Sequence, residues 1–254
     1  MDPKNAFPGF TDETVAFFRR LKKNNTRDWF EANRHIYEAH VLAPAKMFVS
    51  AMGPGLKKIS PHIVAAPKIN KSIFRLNRDV RFSADKSPYK PNLGIYFWEG
   101  PLSRMESPGF YVHLEPPKFM IAGGYYVFPD WLIGPYRKAV VHPRYGKELA
   151  AILKTIVEGT DFKIGGRHYK RVPPRCDAAH PNAGLLLHKG IHAGSETGIP
   201  EEFFSPKLVA YCLEKMKLLA PLHRWCVALL RRSTPPPPRV YSWNPAGGKT
   251  APFP

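Results

Sequence analysis

A chain of 254 residues with 44% hydrophobic and 23% charged residues has the composition of a globular protein with an ordinary core. Its 38 Lys and Arg against 20 Asp and Glu give a formal charge of +18, a field that draws nucleic acid, acidic membrane surfaces or small phosphorylated molecules. Three cysteines without a C-x-x-C pair (Cys176, Cys212 and Cys226) argue against a disulfide framework, and no apolar run is long enough to span a bilayer. The opening MDPKNAFPGF lacks the apolar stretch of a signal peptide, so a cytoplasmic protein is the expectation.

Thr11 stands as an N-cap, Asp12 and Glu13 suit the positive end of a helix, and Phe10 with Val15 makes a hydrophobic staple. Val15, Phe17, Phe18 and Leu21 then share a face, which predicts a helix over 12–23 ended by Asn24 and Asn25. Thr26 caps a second helix that carries Trp29, Phe30, Ile36, Tyr37 and Val41 at helical spacing. Pro44 kinks it or starts a third helix, and Gly53-Pro54-Gly55 reads as a stop.

From Ile69 the texture changes to short strands. In FRLNRDVRFSADKSPYK, residues 74–90, Phe74, Leu76, Val80 and Phe82 occupy even positions and Arg75, Asn77, Asp79 and Arg81 odd ones. Read as a strand, the segment puts four polar groups on one face. Arg78 falls on the apolar side unless a turn near residues 77–79 redirects it. Further strands are predicted over 94–99, 109–115 and 119–127, the last two joined at Pro116-Pro117 as a hairpin. Helices follow over 131–141 and 145–158. Short strands are placed at 162–164, 169–172 and 185–188, and a final helix at 201–231 is kinked at Pro221. The fold class is α+β: a single domain over 10–232 with a largely antiparallel sheet, flanked by N-terminal and C-terminal helices. An N-terminal extension, 1–9, precedes it, and a proline-rich disordered tail, 233–254, follows.

The densest chemistry lies in residues 74–90. Arg75, Arg78, Arg81, Lys86 and Lys90 supply guanidinium forks and ammonium charges suited to phosphate or carboxylate oxygens. Ser87-Pro88 sets Lys86, Tyr89 and Lys90 on a loop. Asp79 and Asp85 orient arginines, and Asp79 is the candidate general acid or base. His113 and Glu115, two apart on a strand, share a face with Tyr111, so His113 is the second catalytic candidate; a hydrogen-bonded structural histidine explains the pair as well. The same residues serve as a surface ion-pair network if no ligand binds there.

Other motifs carry less. Cys176, His180, His188 and His192 match no zinc spacing, so no metal is assigned and no cofactor is named. Gly247-Gly248-Lys249-Thr250 imitates the end of a phosphate loop but lacks the upstream glycine, and the PPPPR run from Pro235 reads as a linker or a peptide ligand. Arg167, Lys170, Arg171 and Arg175 form a second basic patch around His168 and Tyr169.

The run 74–90 followed by GFYVHLEPPKFMIAGGYYVFP resembles the family known as domain of unknown function 2461. FFRRLKKNNTRDWFEANRHIYE is similar to the family's two opening helices, and HYKRVPPRCDAAHP with LLLHKG to its later segment. The resemblance implies a compact intracellular domain and carries no reaction with it. The leading functional expectation is a soluble domain that binds, or acts on, an anionic phosphorylated small molecule. A nucleic-acid-binding module and a protein-interaction domain are the alternatives.

Overall fold

A computed structural model describes residues 6–233. Helix α1 (Asp12–Lys23) forms as its sequence predicts, with Thr11 extended ahead of it and Val15, Phe17, Phe18 and Leu21 buried. The Thr11 N–H donates to the Thr14 hydroxyl at 3.2 Å, which satisfies a donor at the helix entrance. Phe7 is buried against Phe10 and Phe48, with ring centroids 5.3 and 5.2 Å away, so core packing begins ahead of residue 10.

The second helical stretch is segmented. Thr26 Oγ1 accepts the Trp29 N–H at 3.2 Å and caps α2 (Arg27–Ala32). After Asn33 come α3 (Arg34–Tyr37), a π-helical turn (Glu38–Leu42) and α4 (Ala43–Ile59). The π turn has a cause in Pro44. An α-helix would deliver the N–H of residue 44 to the His40 carbonyl, and proline has none. The buried Thr14 hydroxyl donates to that carbonyl instead, at 2.6 Å, and ties α1 to the turn. Contrary to the sequence expectation, Gly53-Pro54-Gly55 does not stop the helix; α4 runs through Pro54 to Ile59. A Cβ on Gly55 would lie 2.3 Å from Leu213 Cδ1, so this glycine marks close approach to the last helix, α7 (Lys207–Arg232).

Six strands make one antiparallel sheet in the order β1-β2-β3-β4-β6-β5. They are β1 (Ile63–Val64), β2 (Leu93–Glu99), β3 (Gly109–Glu115), β4 (Lys118–Tyr125), β5 (Lys163–Arg167) and β6 (His188–Gly198). Register sets Ile95 opposite Val112 and Phe97 opposite Phe110, and this buried face meets α7, whose His223 ring stacks on Phe110 at 4.7 Å. The opposite face carries Gly94, Tyr96, Tyr111, His113, Met120 and Ala122. Helices α5 (Asp130–Val141) and α6 (Tyr145–Gly159) pack with α7, Trp225 donating its indole N–H to the Tyr145 carbonyl at 3.1 Å.

Three sequence expectations for the strands are corrected. Residues 74–82 are not a strand: the segment precedes β2 as an irregular hairpin closed by Arg78 N–H to Pro88 O and Lys90 N–H to Leu76 O, both 2.8 Å. The in–out alternation survives from Phe74 to Arg81, but Phe82 is 95% exposed. Residues 185–188 are mostly a 3-10 turn (Ala183–Leu187), and residues 169–172 form no strand. The long strand β6, which follows that turn, has no predicted counterpart beyond His188, because its glycines obscure the alternation of Ile191, Ala193 and Ser195 inward. The C-terminal helix starts at Lys207 after a 3-10 turn (Glu201–Phe204) and runs unbroken past Pro221. Among the described residues no helix is long and apolar enough to cross a membrane. The tail, with its PPPPR and Gly-Gly-Lys-Thr readings, lies outside the described residues from 234 onward.

Candidate functional site

The hairpin of residues 74–90 is held at its base and open at its tip. Its base is fixed by Phe74 N–H to Gly94 O at 3.0 Å and by Tyr89, which is buried and packs on Phe30 at 4.4 Å. The Asn25 amide brackets the Tyr89 backbone, accepting its N–H at 3.1 Å and donating to its carbonyl at 2.9 Å. Tyr89 is therefore an anchor whose ring faces the core.

The tip neutralises itself. Arg81 grips Asp79 through Nε and Nη2 at 2.9 and 2.7 Å, which holds the Asp79 carboxyl down at about 2. A carboxylate so held is a weak base at neutral pH. Arg78 pairs with Asp85, whose carboxylate also accepts the Ser87 N–H at 2.9 Å; hydrogen bonds from Ser87 and Arg78 press its pKa far below the usual range. Lys86 donates to the Val80 carbonyl at 3.0 Å.

The base of the hairpin is different. Lys90 and Arg104 converge on the Phe74 ring, at 5.9 and 4.1 Å from its centroid. Arg104 belongs to a 3-10 turn (Arg104–Glu106) between β2 and β3 and donates to the Lys71 carbonyl at 2.5 Å. Lys90 Nζ lies 3.5 Å from the Arg75 carbonyl. Partial burial lowers the Lys90 pKa, and the charges of Arg75, Arg104 and Arg78 lower it further. Among the described residues no carboxylate forms an ion pair with Arg75, Lys90 or Arg104.

Next to this cluster stands Tyr111, edge-on to Phe74 at 5.9 Å. Burial first, and then the nearby Tyr126, push its phenol up to about 12, so the hydroxyl stays protonated and shares a hydrogen bond with His113 Nδ1 at 2.9 Å. The other ring nitrogen, Nε2, faces Glu115 at 3.7 Å. Burial lowers the His113 pKa, and Glu115 only partly offsets it. Glu115 is also reached by Lys22 of α1 at 3.5 Å.

Sequence and structure thus divide the candidates. Lys90 lies over Phe74 within the charge field of Arg75 and Arg78 and is joined there by Arg104, which sequence reasoning missed. Arg81 and Asp79 stay paired at the tip, Lys86 bonds the Val80 carbonyl there, and Asp85 links the tip to the cluster through Arg78. His113 sits beside the Phe74 cluster through Tyr111, and no contact joins it to Asp79. Arg104 stands alone in PLSRMES, and only the β2–β3 turn folding back over Lys71 brings it in. The second basic patch lies on β5 and the loop after it, where His168 and Tyr169 N–H groups bond the Leu187 carbonyl.

A family model described as "Conserved hypothetical protein (DUF2461)" matches residues 13–225. The chain belongs to this family. The DUF2461 match runs from the first turn of α1 to Trp225 in α7, so it takes in the whole sheet, the Phe74 hairpin and the His113 strand. No curated protein matches the chain.

Proposed function

We propose that the chain binds a small, multiply charged anion, foremost a phosphorylated molecule, at Arg75, Arg78, Lys90 and Arg104. The observation that carries this reading is the unbalanced charge at Phe74: a half-buried lysine set among three arginines, three of the four cations without a described carboxylate. Such crowding costs folding free energy through mutual repulsion, and an anion between the cations relieves it. The Phe74 ring and the Lys71 carbonyl hold Arg104 in place before a ligand arrives, so little side-chain entropy remains to be lost. Tyr111 and His113 stand next to the cluster and offer a neutral hydrogen-bonding wall.

Isothermal titration with inorganic pyrophosphate tests the proposal. Lys90→Met and Arg104→Met are each expected to weaken binding about tenfold, the scale of one hydrogen bond to a charged group. Arg81→Met, at the tip, should leave it within about twofold, as an exposed pair is worth little. Undetectable binding to the folded protein, or equal losses at all three positions, would overturn the site. Tight binding of single-stranded DNA without any of pyrophosphate would move the reading to nucleic acid.

A further inference from the structure

On the other side of the sheet, β2 ends in a charged group that does not belong to the Phe74 cluster. Strand alternation puts Glu99 on the same face as Phe97, under α7, whereas Gly94 and Tyr96 point the opposite way. Glu99 is 1% exposed, yet it remains ionised. Burial pushes its pKa up, but hydrogen bonds from His223 and Ser60, with the charges of His223 and Arg231, outweigh burial and leave it below its ordinary 4.5.

Its two oxygens are treated unequally. Oε2 accepts the Ser60 hydroxyl at 2.7 Å and the His223 Nε2 at 3.2 Å. Oε1 accepts no hydrogen bond among the described residues; Arg231, with a side chain 62% exposed, stops 3.6 Å short of it. A buried carboxylate oxygen has acceptor capacity and nothing else, and leaving it unmet is costly. Glu99 and Arg231 also line a cavity of about 740 Å³ with Leu102, Val227 and Leu230 as apolar wall and His62 beside them. That volume is in the range of small-molecule sites.

We propose that this cavity binds a small organic ammonium, an N–H cation on an apolar body. The ammonium takes over from Arg231 as the direct partner of Glu99 Oε1, while Leu102, Val227 and Leu230 receive the body. Arg231 is the movable cover: its long stem reaches in from the last turn of α7, and its exposed guanidinium loses little by swinging out to water. The anion-binding proposal plays no part in this inference, since the two sites lie on opposite faces of the sheet.

The experiment titrates the full chain with benzylamine and, in parallel, with the neutral benzyl alcohol, followed by methyl NMR of Val227 and Leu230. In the wild type benzylamine should bind roughly tenfold tighter than the alcohol, as expected for a charge-assisted hydrogen bond. Arg231→Met removes the competing cation at an exposed position and should raise that ratio further. Glu99→Gln should reduce the ratio to about one; if that variant does not fold, the Arg231→Met arm decides. Equal binding of amine and alcohol in both the wild type and Arg231→Met, or amine binding that leaves the Val227 and Leu230 methyls unmoved, would overturn the proposal.

Discussion

At the scale of single residues, the partner of a side chain decides its chemistry more than its type does. Asp79 and His113 were both candidates for proton transfer, and their surroundings separate them. Arg81 holds Asp79 ionised to about pH 2, whereas His113 keeps a depressed pKa in a half-buried place. Burial lowers the His113 pKa and the Glu115 carboxylate opposes it, so removing that charge should lower it further. Glu115→Gln is therefore expected to lower the His113 pKa, read from the imidazole proton shifts in an NMR pH titration. A value unchanged from the wild type would mean that burial alone sets it. The identity of such pairs was only partly legible in the sequence. Proximity along the chain revealed Asp79 with Arg81 and His113 with Glu115, but nothing in PLSRMES marks Arg104 as a neighbour of Lys90.

At the scale of elements, caps and apolar spacing foretold helices well, and glycine misled twice. Thr11, Thr26 and the periodic aromatics sit where their residue types put them. Gly53-Pro54-Gly55 reads as a stop because punctuation is local, while the demand on Gly55 comes from Leu213, far along the chain. In β6 the glycines hid a strand for a related reason: a Cβ on Gly190 would stand 2.1 Å from the Tyr126 carbonyl oxygen, a neighbour far back along the chain. The π turn is equally non-local, since Pro44 removes a donor and Thr14 of another helix replaces it. Thr14→Val keeps the shape and leaves the His40 carbonyl unmet. It should cost about 1–3 kcal/mol in chemical denaturation, and less than half of the low figure would show that the turn satisfies itself.

At the scale of the whole molecule, the +18 charge resolves into places. One is the Phe74 cluster beside β2; another is the patch of Arg167, Lys170, Arg171 and Arg175 beside β5. The strand order puts β3, β4 and β6 between them, four strand spacings or roughly 19 Å. A small anion cannot touch both; a polymer can. Replacing Arg167 and Arg171 by Ser should lower the salt needed to elute the protein from heparin and leave pyrophosphate affinity unchanged. A fall in both would place the two patches in one site.

The hairpin of residues 74–90 has a consequence for anyone who wishes to alter the protein. Its two legs are fastened to each other at Leu76–Lys90 and Arg78–Pro88 and to β2 at Phe74, so the chain leaves and re-enters the fold at almost the same point. The far end, residues 82–84, carries none of the hairpin's ion pairs and has Phe82 in open solvent, whereas Asp85 has to be kept because it pairs with Arg78 of the cation cluster. That end is the natural place to graft a reporter peptide or a spectroscopic label: the cation cluster stays a few residues away, at the base, with Asp85 still holding Arg78.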